Sequence, residues 1–426
     1  MSVGWRFALP AGRVGPFFSH QHFCVTIPKA AESPPPSEAE RIYYPEWDVE
    51  DLEGYGPGGY HPTLIGDTFC SGRYKVIHKL GFGGYSTIWL ARDQQLQRYV
   101  SLKILLAGSS QDSNESEILH FLTKNDSHCL ERKFIPTLLD QFFFDDTARS
   151  ITAQLIMGLN YLHANDVFHG DPHLKNFLLR VPCFDNSSTT ELYERYGTPR
   201  EMPTPRLDGK PSIPHAPSGV IYPMIWNISA NEVMDPEIII SDYGTSFIVS
   251  ETLSPTLHTP ALYAPPEAFF NDHITPAADV WTLGVVLYEV MGKRPLFETF
   301  AWDPDDIIAE MVNTLGQLPD RWWNSWDNRS EFFNSDGSWV TNFKRISTPD
   351  FRRLHQRMWD MGRGETPETC EWDVAGGEFQ ALEDMLRAMM TFEPAERPTA
   401  KQLMSSEYMV KWAMPAWEQQ MKRKRA

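Results

Sequence analysis

The chain has 426 residues, enough for two or three compact units with a sizeable core. Hydrophobic residues make up 42% and charged residues 22%, the balance of an ordinary globular protein. A formal net charge of −18 argues against general nucleic-acid binding. Such acidity either serves solubility alone or attracts cationic peptides.

Cys24, Cys70, Cys129, Cys183 and Cys370 form no CxxC pair. A zinc site or disulfide framework is therefore not expected, and a reducing compartment, cytoplasm or nucleus, fits. No apolar run reaches the ~18 residues of a membrane span, so none is expected. Residues 1–31 carry Arg6, Arg13 and Lys29 and no acid. A disordered tail and a mitochondrial transit peptide both have that composition. Residues 1–40 are read as a tail that ends in the Pro-rich linker 32–38.

Globular sequence begins near Tyr43. Residues 73–79, 86–91 and 99–106 carry strand patterns, and Ser116–Leu122 starts a short helix. The first two strands flank Gly81-Phe82-Gly83-Gly84-Tyr85-Ser86-Thr87-Ile88. Glycines let backbone N–H groups approach phosphates, although a plain hairpin turn has the same look. No helix follows the loop, which argues against a dinucleotide fold or a P-loop. Lys103 lies inside the apolar third strand, where an unpaired charge is costly, and Glu117 on the next helix is the partner expected for it.

Thr147–His163 places Ile151, Leu155, Leu159 and Leu162 on one face of a helix. His169-Gly170-Asp171-Pro172-His173-Leu174-Lys175-Asn176 follows directly. In that form Asp171 orients or deprotonates a hydroxyl, Asn176 holds a metal, and Lys175 is a further catalytic candidate. Residues 182–236, rich in Pro, Ser, Thr and Asn, read as a mostly irregular insert. Asp242-Tyr243-Gly244 then follows the apolar run Ile238–Ile240 and offers a second metal ligand in Asp242. Pro265-Pro266-Glu267 comes next, and 279–291 is apolar on nearly every side, as in a fully buried helix. Arg397-Pro398 lies far downstream.

Taken in order, these motifs resemble the SR-protein kinases, serine/threonine kinases of Arg-Ser-rich splicing proteins, and their fungal relatives. The resemblance covers roughly residues 40–412. It includes the lead-in Gly58-Gly59-Tyr60-His61-Pro62 and the run Lys79–Ala91, with Ser86 where most kinases have a third glycine. It implies an α+β, two-lobed protein kinase fold: a small β-rich N-lobe over 41–146, a larger and mostly helical C-lobe over 147–412, and a tail over 413–426. It implies transfer of the ATP γ-phosphate to protein Ser or Thr with Mg²⁺. Gly81, Phe82, Gly83, Gly84, Ser86, Ile88, Lys103 and Glu117 would bind ATP, Asn176 and Asp242 the metal, and Glu267 would pair with Arg397. The implied partner is a protein, Arg-Ser-rich or otherwise, with no direct role for nucleic acid or membrane.

Three departures from the pattern stand out. Gly170 replaces the usual Arg before Asp171. His173 stands where protein kinases carry a lysine, and gives the loop the form found in small-molecule phosphotransferases. Between Phe144 and the long helix, the sequence for a strand, the adenine-binding hinge and a helix is missing, through a real deletion or a gene-model error. A catalytically weak or inactive pseudokinase serving as a scaffold is the alternative that these departures leave open.

Overall fold

Residues Thr68–Phe69 (β1), Tyr74–Gly83 (β2), Ser86–Asp93 (β3) and Arg98–Leu105 (β4) form one antiparallel sheet in the order β1-β2-β3-β4. Two register shifts in β2 kink the strand as it approaches the glycine-rich turn. The coordinates, a computed structural model, describe residues 43, 48–55, 60–69, 72–84, 86–105, 145–180, 185–203, 206–210, 219–224, 236–252, 255–292, 295–299, 303–340, 351–361 and 372–423. The N-terminal tail, Glu117 and the missing stretch before the long helix lie outside the described residues.

The long helix α1 runs Asp145–Ala164, starting two residues earlier than its periodicity indicates. It leads into β5 (Val167–Phe168), the turn Leu174–Asn176 and β6 (Phe177–Leu179). Further on, β9 (Ile238–Ile240) pairs with β6, and β10 (Phe247–Ile248) pairs with β5. The nearly all-apolar segment 279–291 becomes the helix α3, Ala277–Met291, with Val280, Trp281, Leu283, Val285, Val286 and Leu287 buried in the central core. Around it pack Pro304–Leu315 (α4), Leu354–Asp360 (α5) and Glu378–Met389 (α6). Among the described residues, no helix is long and apolar enough to cross a membrane.

Two expectations need correction. The C-terminal segment is no separate tail, because residues Met414–Arg423 form a helix, α7, against α1. Gln420 is buried there and donates to Pro236 O at 2.5 Å. The insert is also more ordered than its composition suggested. It holds helix α2 (Thr189–Tyr196), started by a Ser188/Glu191 capping box, and the ladder of β7 (Glu201–Pro203) with β8 (Gly219–Ile221).

That insert packs on both faces of the N-lobe sheet. Leu192 and Met224 join Ile77, Leu80, Leu90 and Tyr99 on one face, while Ile221 joins Val76 and Trp89 on the other. It also meets the β2 edge: Met224 N–H donates to Lys79 O at 2.9 Å, and the Tyr193 hydroxyl to Ile77 O at 2.8 Å. Paired edge groups of this kind remove the cost of an unsatisfied sheet edge.

Candidate active site

Two short ladders bring the site together. In the β6–β9 ladder, Phe177 stands opposite Ile240, so Asn176 and Ser241 meet at its end. Ser241 donates its N–H (2.8 Å) and its hydroxyl (2.9 Å) to Asn176 O, which sets Asn176 beside Asp242 although 65 residues separate Asn176 from Ser241. In the β5–β10 ladder Phe168 faces Phe247, and Ser246 Oγ then donates to His169 O at 2.7 Å.

The loop between these ladders is pinned from below. Buried Asp279, on the first turn of α3, accepts the backbone N–H groups of His169 (2.9 Å) and Gly170 (3.0 Å) and meets His163 Nε2 at 3.0 Å. His169 Nε2 lies 3.0 Å from Ser241 O, and its Nδ1 accepts from Asp171 N–H at 3.2 Å. The proton is thereby assigned to Nε2. Gly170 sits at φ +82°, and a Cβ there would stand 2.8 Å from Thr245 O and 3.2 Å from Phe168 Cε1. This backbone accommodates glycine and no arginine, which accounts for the first departure from the usual motif.

Asp171 is mostly buried, and its Oδ1 has no hydrogen-bond partner. Asn176 Nδ2 donates to Asp171 O at 2.9 Å and to Oδ2 at 3.3 Å, leaving the Asn176 amide oxygen as an acceptor. Burial first, and then the charge of Asp242, push the Asp171 carboxyl well above its usual range, against the Asn176 hydrogen bond. His173 is buried with Nε2 3.5 Å from Asp171 Oδ2, and burial lowers its imidazole to about 3. Where protein kinases carry a cation, this loop holds a neutral ring. Lys175 is exposed on the Leu174–Asn176 turn.

Lys103 Nζ donates to Asp242 Oδ1 at 2.7 Å. Desolvation raises the Asp242 carboxyl, but the charge and hydrogen bond of Lys103 override it and hold the group below its usual range. Asp242 adopts φ +66°, a conformation that costs a non-glycine residue about 1–3 kcal/mol and recurs at functional sites. Opposite Lys103 in the ladder stands Ile88, which in turn faces Gly81. The glycine-rich turn therefore lies over the same end of the sheet as the lysine. The Lys103–Glu117 pairing expected from the sequence lies outside the described residues.

At the back of the site, Arg397 makes a bidentate pair with Glu267 at 2.7 and 2.6 Å, both side chains fully buried. Thr259 Oγ1 donates to Gly170 O at 2.9 Å, which ties the segment before Glu267 to the loop that carries Asp171. Sequence reasoning marked Asp279 only as the opening of the buried helix, without its bonds to the loop, and missed the Thr259 tether and the packing of the insert. A buried acid opening an otherwise apolar helix was the available signal for Asp279, and the Ser188-x-x-Glu191 capping box for the insert helix.

Lys103, Asp171, Asn176 and Asp242 thus come together where β4 of the sheet meets the loops after β5 and β9. Asn176 and Asp242 offer oxygen ligands suited to Mg²⁺, with the Asp242 carboxylate half-exposed.

The protein kinase domain family matches residues 227–409. A serine/threonine protein kinase of Aspergillus fumigatus is 23% identical over 404 residues, covering 85% of this chain and 91% of that protein. Serine/threonine-protein kinase SRPK of Physarum polycephalum is 25% identical over 416 residues, covering 85% of this chain and 92% of its own. SRSF protein kinase 3 of Homo sapiens is 32% identical over 170 residues, 32% of this chain and 30% of that protein. Residues 227–409 match the protein kinase domain family, the described elements follow the β-rich then helical order of the two-lobed α+β kinase fold, and the proteins to which the chain is similar include SR-protein kinases.

Proposed function

We propose that the protein transfers the γ-phosphate of Mg²⁺-ATP to Ser or Thr hydroxyls of a basic, Arg-Ser-rich protein substrate. The observation that carries this reading is the unpartnered, buried Asp171 Oδ1 beside Asn176, in the same site as the Lys103–Asp242 pair. A buried acceptor without a donor is costly, and an incoming substrate hydroxyl would satisfy it.

In this reading Asp171 orients the hydroxyl and accepts its proton, and Asn176 fixes the Asp171 carboxylate in place. Lys103 exchanges its hydrogen bond with Asp242 for one with a nucleotide phosphate. Asn176 Oδ1 and Asp242 would hold Mg²⁺, which when bound neutralises phosphate charge. His173 contributes shape and hydrogen bonding without charge. The name of the human relative, SRSF protein kinase 3, and the net charge of −18 both support a cationic substrate. A scaffold role without catalysis gains nothing from a site in which these four groups converge.

The nucleotide half of the proposal is tested by thermal shift with ATP in the presence and absence of Mg²⁺. The parent is expected to be stabilised by Mg²⁺-ATP, and Asp242→Asn and Lys103→Met to lose most of that stabilisation. Variants that bind as well as the parent would overturn the assignment of the nucleotide site.

A further inference from the structure

Tyr60, ahead of the kinase sheet, touches the glycine-rich turn directly. The Tyr60 hydroxyl donates to Gly83 O at 2.8 Å and lies 3.3 Å from Gly84 O. These carbonyls belong to the last residue of β2 and to the turn that follows it, 23 and 24 residues further along the chain. We infer that Tyr60 is a positioning residue for the nucleotide, acting as a latch that turns the glycine-rich loop so that its N–H groups face the phosphates. The inference rests on the nucleotide reading given above.

The physical reason lies in the peptide plane. In a trans peptide the C=O of one residue and the N–H of the next point to opposite sides. Holding Gly83 O on the Tyr60 side therefore aims the Gly84 N–H away from it. Two successive carbonyls turned to one side leave N–H groups on the other, the arrangement that makes an anion-binding concavity. Glycine alone does not select this conformation, since it moves freely between many. Gly83 is paired with Ser86 in the ladder, and the Tyr60 hydroxyl adds a donor from outside the hairpin that reaches the turn itself.

The latch is itself held firmly. Tyr60 N–H donates to Gly54 O at 2.9 Å, and its ring lies against the Gly54 backbone, where a Cβ would come within 2.8 Å of Cδ2 and Cε2. The Tyr55 ring packs 5.6 Å away from it. Beneath them the Tyr55 hydroxyl and Lys79 Nζ both donate to the carboxylate of Glu50, with all three side chains buried. Lys79 belongs to β2 and also lies under the ring of Phe82, near the end of that strand. A buried ion pair tied to neighbouring aromatic rings joins the lead-in segment to the sheet in a single register.

Tyr60→Phe removes the hydroxyl and keeps the ring. Expected is a rise of about fivefold in the KM for ATP, the size of one neutral hydrogen bond, with kcat and the nucleotide-free unfolding temperature close to the parent's. Gly54→Ala, which displaces the ring through its new Cβ, should raise KM in the same direction. A parent stabilised by Mg²⁺-ATP together with a Tyr60→Phe enzyme of unchanged KM would overturn the latch alone. A fall in kcat and unfolding temperature with unchanged KM would overturn it too, by showing a merely structural residue. A parent that shows no nucleotide-dependent stabilisation would overturn the nucleotide reading and the latch with it.

Discussion

Lys103 and Asp242, 139 positions apart, meet at 2.7 Å where β4 approaches the loop after β9. The Asp242 side chain is 48% exposed and that of Lys103 23%. Ion pairs that reach solvent contribute about 0–1 kcal/mol, so this contact is cheap to exchange for a phosphate and a metal. Lys103→Met should consequently change the stability of the nucleotide-free protein by no more than about 1 kcal/mol. Urea unfolding without ATP measures this, and a much larger loss would show that the pair is structural.

The Glu267–Arg397 pair belongs to the other class. Both side chains are fully buried, and removing one partner of such a pair leaves an uncompensated charge at a cost of about 3–5 kcal/mol. Arg397→Met should destabilise by that amount in chemical denaturation. Joint replacement of both residues by apolar ones should cost markedly less. Equal losses for the single and double variants would point to packing, including the stack of Arg397 on Trp281, as the main contribution.

Gly170 predicts a backbone effect. With φ at +82° and Thr245 O 2.8 Å from an added Cβ, Gly170→Ala meets both strain and a clash. A loss of about 1–3 kcal/mol is expected for the strain alone, and Gly170→Arg should be at least as costly. An Arg variant of full stability would show that the loop rearranges freely and that the glycine is incidental.

Glu289 carries a pH signature. Burial raises its carboxyl from 4.5 to about 7, against the hydrogen bond it accepts from Tyr263. The folded protein then holds this proton more tightly than the unfolded chain. The stability contributed by the group falls as pH rises from 4.5 to about 7 and stays level above that. Unfolding of the parent and of Glu289→Gln across this range should show a difference that shrinks against the parent as pH rises. A constant difference would place the carboxyl at an ordinary value.

Lys103, Asp171 and Asp242 stood out in the sequence because each lies in or shortly after a segment with a clear pattern: Lys103 inside an apolar strand, Asp171 after an amphipathic helix, Asp242 after Ile238–Ile240. The buried Glu267–Arg397 pair, 130 residues apart in the chain, was implied by the family resemblance and is present. The contacts made by the insert were not legible. Leu192, Tyr193 and Met224 reach the sheet through tertiary packing that no local period encodes, in a segment dominated by loop-forming residues. The Tyr60 latch was hidden for a similar reason, since a hydroxyl donating to a backbone carbonyl leaves no pattern in side-chain type. The residues 413–426 were read as a tail beyond the family resemblance, yet one side of the helix Met414–Arg423, with Ala416 and Gln420, is buried.

The central claim is phosphoryl transfer through Asp171, and the most direct measurement is transfer of labelled γ-phosphate from ATP to an Arg-Ser repeat peptide. The parent should label serine in that peptide, faster than in an acidic casein-like peptide and less so at high salt. Asp171→Asn should retain its fold and lower the rate by a factor on the order of 10²–10⁴, the usual range for a general base. A folded, ATP-binding parent that transfers no phosphate, or an Asp171→Asn enzyme as fast as the parent, would contradict the account.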